Sequence, residues 1–134
     1  MRVLLDTNGF VSSLLRFGSP HAILESLRDG AFTLITSEPL VSELIQVLGR
    51  SKFADRISPE DRHTLLELIR RDGCFVLPKR STTPVRDPND RHVLDCLYAA
   101  DVLVSGDRDL QVLKWVGTTV ILSPAAFLAQ LKRS

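Results

Sequence analysis

Four acidic residues lie far apart in the chain, each beside a stretch that fixes a chain direction. Asp6 follows the apolar run Val3-Leu4-Leu5, and Asp107 follows Val102-Leu103-Val104 after Ser105 and Gly106. Glu43 sits among the helically spaced Leu40, Val41, Leu44, Ile45 and Leu48, and Asp90 closes the turn-forming run Asp87-Pro88-Asn89-Asp90. Gathered together, such carboxylates repel one another, and each resists leaving water. A divalent cation removes both difficulties. Oxygen donors without Cys or His suit Mg2+ or Mn2+ better than zinc. Such an ion activates water and stabilises in-line attack on a phosphodiester. Asn8 and Ser105 are neutral polar residues in the same loops, suited to orienting a carboxylate or the attacking water.

Each acid also has a plain structural reading. Asp6 could cap a turn, although the end of a buried strand favours a site. Glu43 alone reads as a solvent-facing helix residue. Asp90 alone reads as an acid favoured by a helix dipole, and Asp107 as the cap of the short helix after it. Asp87 and Asp109 lie near enough to lend supporting contacts, whereas Asp95 and Asp101 point to less. His21, His63 and His92 fall in unrelated places and form no relay. The chemical reading rests on the four acids together.

The surrounding elements must bring them there. Continuous apolar runs at 3–5, 31–36, 74–77, 102–104 and 119–122 read as strands buried on both faces, as in a parallel sheet. Between them lie amphipathic stretches with clear starts at Ser19-Pro20, Ser37 with Pro39, Ser58-Pro59 and Ser123-Pro124. Further helices are expected at 92–100 and 107–113. Stops fall at Gly30 and Gly73. Strand and helix alternate throughout, which argues an α/β domain spanning 1–134, with helices on both faces of a five-stranded parallel sheet. In such folds ligands bind beyond the carboxyl ends of the strands, where the strand order reverses. If the first and fourth strands are neighbours, Asp6 and Asp107 face one crevice, and the helices carrying Glu43 and Asp90 start on the same edge.

The totals bound the remaining choices. The chain has 134 residues, an ordinary size for one domain. Its formal net charge is +1, so bulk charge gives no polyanion signal. Basic residues gather at Arg50, Lys52 and Arg56, at Arg70 and Arg71, and at Lys79 and Arg80, each cluster reading as solvated surface. Cys74 and Cys96 lack metal-type spacing and read as reduced core thiols. No run approaches a membrane span and the start does not read as a signal peptide, so the expected location is the cytoplasm, away from any membrane.

Three segments taken together resemble the PIN-domain ribonucleases. MRVLLDTNGFVSSLL is similar to that family's opening, a hydrophobic strand followed by Asp-Thr-Asn. TSEPLVSELIQVLGR resembles its internal segment, with Glu43 at the acidic position, and RDPNDRHVLDCLYAADVLVSGDRDLQVL resembles its closing signature. The nearest likeness is to the bacterial toxin components of toxin–antitoxin pairs, relatives of the VapC-type toxins. The resemblance implies a three-layer α/β/α fold with strand order 3-2-1-4-5. It also implies a metal-dependent endoribonuclease using Mg2+ or Mn2+, whose catalytic and metal-holding acids are Asp6, Glu43, Asp90 and Asp107, supported by Asn8 and Ser105. It further implies a homodimer held inactive by a small antitoxin protein. Two departures stand out. Gly9 occupies a position that is usually apolar, and Tyr98-Ala99-Ala100-Asp101 is one residue shorter than the commonest pattern, which leaves Asp87 as the alternative to Asp90.

Other classes make different demands. A haloacid-dehalogenase-type phosphatase would use Asp6 as nucleophile with a second Asp two residues on, where this chain has Asn8. A receiver-like phosphoacceptor would need an acid pair in the first loop. A non-catalytic module binding RNA or protein would keep the acids without the metal, and a near-neutral charge does not favour RNA binding alone.

Overall fold

In the computed structural model, the described residues are 1–7, 10–11, 18–50, 56–81 and 91–133. A six-stranded sheet carries strands β1 (Arg2–Leu5), β2 (Thr33–Thr36), β3 (Cys74–Phe75), β4 (Val102–Val104), β5 (Trp115–Val116) and β6 (Thr119–Leu122). The order is β3-β2-β1-β4-β6-β5, all parallel except β5, which runs antiparallel to β6. The helices are α1 (Gly18–Arg28), α2 (Glu38–Leu48), α3 (Pro59–Asp72), α4 (Arg91–Leu94), α5 (Arg108–Gln111) and α6 (Pro124–Arg133), with a 3-10 turn at Leu97–Ala99.

Alternation along β1 builds the three layers, because successive strand residues point to opposite faces. Val3 and Leu5 join Leu34, Val102 and Val104 in one core, with Ile23 and Leu27 of α1, Leu44 of α2, Leu65 and Ile69 of α3, and Phe127 of α6. Leu4 joins Ile35, Leu103 and Ile121 in the other core, with Val93, Leu94 and Cys96. Leu4 has no exposed surface, and burying such a side chain contributes about 1.5–3 kcal/mol. The two cores are the reason the middle positions of the central strands are apolar on both faces.

The helix starts follow the serine signals. Ser37 Oγ accepts the Leu40 N–H at 3.3 Å, Ser58 Oγ the Asp61 N–H at 3.0 Å, and Ser123 Oγ the Ala126 N–H at 3.1 Å. Each bond satisfies a donor that the first helical turn leaves unpaired.

Five expectations need correction. The sheet has six strands rather than five, because a two-residue turn at Gly117-Thr118 folds Trp115 and Val116 back onto β6. The expected helix over 92–100 is broken into α4 and the 3-10 turn, and the Cys96 N–H bonds to Val93 O in a tightened turn between them. The short helix is confined to Arg108–Gln111, and the third strand to Cys74–Phe75. Cys74 is exposed rather than a core thiol, because it lies on an edge strand, whereas Cys96 is fully buried; both are free thiols. No helix among the described residues is long and apolar enough to cross a membrane.

Candidate active site at the carboxyl edge of the sheet

Strand register creates the site. Leu5 pairs with Val104, so the next residues, Asp6 and Ser105, emerge side by side. Leu4 pairs with Ile35, which brings the end of β2 and the start of α2 to the same edge. The order β2-β1-β4 makes β1 the strand from which connections diverge, and a ligand crevice belongs at that point.

Asp6 is only 5% exposed, and Ser105 has no exposed surface. Ser105 Oγ donates to Asp6 Oδ2 at 2.6 Å, the short length of a hydroxyl bonded to a charged acceptor. The same oxygen accepts the Asp107 N–H at 3.0 Å. One hydroxyl thus ties the end of β1 to the loop after β4. Gln111 Nε2 donates to the Ser105 carbonyl at 2.7 Å, and the Ser105 N–H donates to Leu122 O at 3.0 Å.

On the other side of Asp6, Thr7 Oγ1 donates to Glu43 Oε2 at 2.8 Å. Glu43 is therefore drawn to the residue next to Asp6, as the site reading requires, and is not merely a solvent-facing helix residue. Asp107 accepts the Asp109 N–H through Oδ1 at 2.9 Å and so caps α5. The plain reading of Asp107 is correct, and it leaves the second carboxylate oxygen for another role. Asp109 supports Asp107 through its backbone.

Along this edge Thr7 holds Glu43 beside Asp6, and Ser105 links the Asp6 carboxylate to the backbone of Asp107. Asn8, Asp87 and Asp90 lie outside the described residues. The donor set is all oxygen, which fits a hard cation such as Mg2+ or Mn2+. Among the described residues, no three His, Cys, Asp or Glu side chains are close enough together to hold an ion.

Sequence reasoning missed Thr7 and Gln111. Thr7 stood within the Asp-Thr-Asn run and could have been singled out by its place beside Asp6. Gln111 carries no signal, because its partner is a backbone carbonyl fixed only by the fold.

Arg70 pairs with Glu38 at 2.6 Å and Arg71 with Asp72 at 3.0 Å. Both line a groove of about 860 Å³ with Arg28, His63 and Glu67, and none of the proposed acids is part of it. Lys79 lies over the Tyr98 ring, 4.4 Å from its centre.

The family model described as the PIN domain matches residues 2–109, which include β1, β2, β3, β4 and every acid named above. No curated protein and no solved structure matches the chain.

Proposed function

We propose, from the premise that this chain belongs to the PIN-domain family, that it is a nuclease hydrolysing RNA phosphodiester bonds with Mg2+ or Mn2+. The observation that carries the reading is the nearly buried Asp6 carboxylate, tied to the Asp107 loop through Ser105 and flanked by the Thr7–Glu43 bond. Asp6 is 5% exposed, and the Ser105 hydroxyl offsets part of the cost of burying its charge.

Asp6, Glu43, Asp90 and Asp107 are the residues that would hold the cation. When bound, the cation activates water and offsets the negative charge that develops on the phosphate. The chain's own task is positional. Ser105 fixes the orientation of Asp6 by donating to Oδ2, and Thr7 fixes Glu43 while leaving its second oxygen for a ligand. Asn8 and Ser105 are the supporting polar residues in this reading, and Asp87 is the alternative to Asp90.

The resemblance to toxin components extends the proposal to a cytoplasmic bacterial toxin, a homodimer, restrained by a small antitoxin protein. A second reading, a non-catalytic PIN-like module that binds RNA or protein, draws on one observation: among the described residues, no three His, Cys, Asp or Glu side chains form a group that could hold an ion. Calorimetric titration with Mn2+ separates the two, since the module requires no binding at millimolar metal.

The test of the leading reading is Asp6→Asn. This variant keeps the volume and one acceptor at the buried position. Cleavage of RNA in Mg2+ is expected to fall at least a hundredfold, about 2.7 kcal/mol in barrier, with the circular dichroism spectrum unchanged. Mg2+-dependent cleavage at the wild-type rate by the purified variant would contradict it.

A further inference from the structure

We propose that Gln111 is a positioning residue: its side chain reaches back from the far end of α5 to hold the loop that carries Ser105 and Asp107. The proposal rests on the nuclease reading for its functional consequence, but its structural half stands independently.

Ser105 is buried, but no packing fixes the loop at Gly106. Gly106 is exposed, and a Cβ added there would meet nothing within 4 Å. Glycine also carries the widest backbone freedom of any residue. Between β4 and α5, the shape of the loop therefore depends on hydrogen bonds. The Asp107 N–H reaches Ser105 Oγ at 3.0 Å, the Asp109 N–H reaches Asp107 Oδ1 at 2.9 Å, and Gln111 Nε2 reaches Ser105 O at 2.7 Å. The first two are local bonds within the turn. The third alone among them joins the last residue of α5 to the residue before the glycine, and so closes the loop into a ring.

The ring matters because Ser105 is fully buried and makes four bonds at once. Its N–H is bonded to Leu122 O and its Oγ to Asp6 and Asp107, which leaves the carbonyl for Gln111. A buried carbonyl without a partner bears its full desolvation cost. Without the Gln111 amide, that peptide would turn to find another donor. The turn would carry with it the hydroxyl that orients Asp6 and the backbone that sets Asp107. A misplacement of about 1 Å at such a group can cost on the order of a hundredfold in rate.

Gln111→Met keeps the side-chain length and removes the donor. Two readouts are needed. The first is amide hydrogen exchange in the metal-free protein: the Asp107 N–H is expected to exchange roughly tenfold faster, with the Leu4 and Ser105 amides of the sheet unchanged. The second is RNA cleavage in Mg2+: kcat is expected to fall roughly ten- to hundredfold with KM unchanged. Gln111→Glu supplies a further check, because a carboxylic acid can donate to the carbonyl where a carboxylate cannot. A glutamate is ionised at neutral pH and cannot donate there, so its kcat is expected to fall at least as far as in Gln111→Met. Unchanged Asp107 exchange, or an unchanged kcat, in Gln111→Met would overturn the proposal. If the wild-type protein cleaves no RNA, the nuclease reading fails by itself, and the exchange of the Asp107 amide alone decides whether Gln111 holds the loop.

Discussion

At the scale of single residues, Ser105 joins two parts of the candidate site at once. Ser105→Ala removes the donor to a nearly buried carboxylate and the acceptor of the Asp107 N–H in one step. Hydrogen bonds to charged groups contribute about 1.5–3 kcal/mol, and urea denaturation is expected to show a loss of that size. A loss below about 0.5 kcal/mol would mean that Asp6 is held by other groups. Cys96 offers a second case. Burial pushes its thiol up, the Asp95 charge adds to this, and a Ser37 hydrogen bond opposes it. The thiolate is the reactive form, so in the native protein an aromatic disulfide reagent is expected to modify Cys74 and spare Cys96, with both reacting in denaturant. The raised thiol also has a pH consequence. The unfolded chain releases this proton near pH ~8.5 while the folded chain still holds it, so this contribution to stability is full below that pH and declines above it. Rapid native modification of both cysteines would contradict the burial. Neither difference between the two thiols was legible in the sequence, because edge and centre of a sheet are decided by strand order.

At the scale of elements, the strongest sequence signals were chemical and local. Ser37, Ser58 and Ser123 each cap a helix where Ser with a nearby Pro announced one. The β5–β6 hairpin escaped notice because β5 is two residues long and its approach uses Lys114 at φ 61° instead of a glycine. Side chains resist that left-handed region by about 1–2 kcal/mol. Lys114→Gly removes the strain but loosens the unfolded chain, so the expected gain is roughly 0.5–1 kcal/mol. It would appear as a higher thermal midpoint. A lower midpoint would show that the lysine side chain makes a stabilising contact larger than the strain. The break between α4 and the 3-10 turn was hidden for a different reason. Val93, Leu94, Leu97 and Ala100 keep a helical spacing of apolar residues, yet Asp95 turns to the Ser81 N–H at 2.9 Å and the chain tightens at Cys96. A tertiary bond overrode a local preference.

At the scale of the whole molecule, the parallel order was legible because both faces of the sheet are covered, which calls for apolar residues on both faces of the central strands. The convergence of Asp6 with Asp107 followed from the adjacency of β1 and β4, and that of Glu43 from the carboxyl-edge start of α2. What the sequence did not reveal is the set of bonds that tie these segments together: Thr7 and Ser105 hydroxyls whose partners lie 36 and 99 residues away. The central claim is that the fold gathers these distant carboxylates around one cation. A crystal structure of the protein soaked in Mn2+, with the ion located by its anomalous signal, tests this most directly. The account predicts one peak at the carboxyl edge within about 2.0–2.3 Å of carboxylate oxygens from Asp6 and at least one of Glu43, Asp90 and Asp107. A peak elsewhere, or none at millimolar Mn2+, would contradict it.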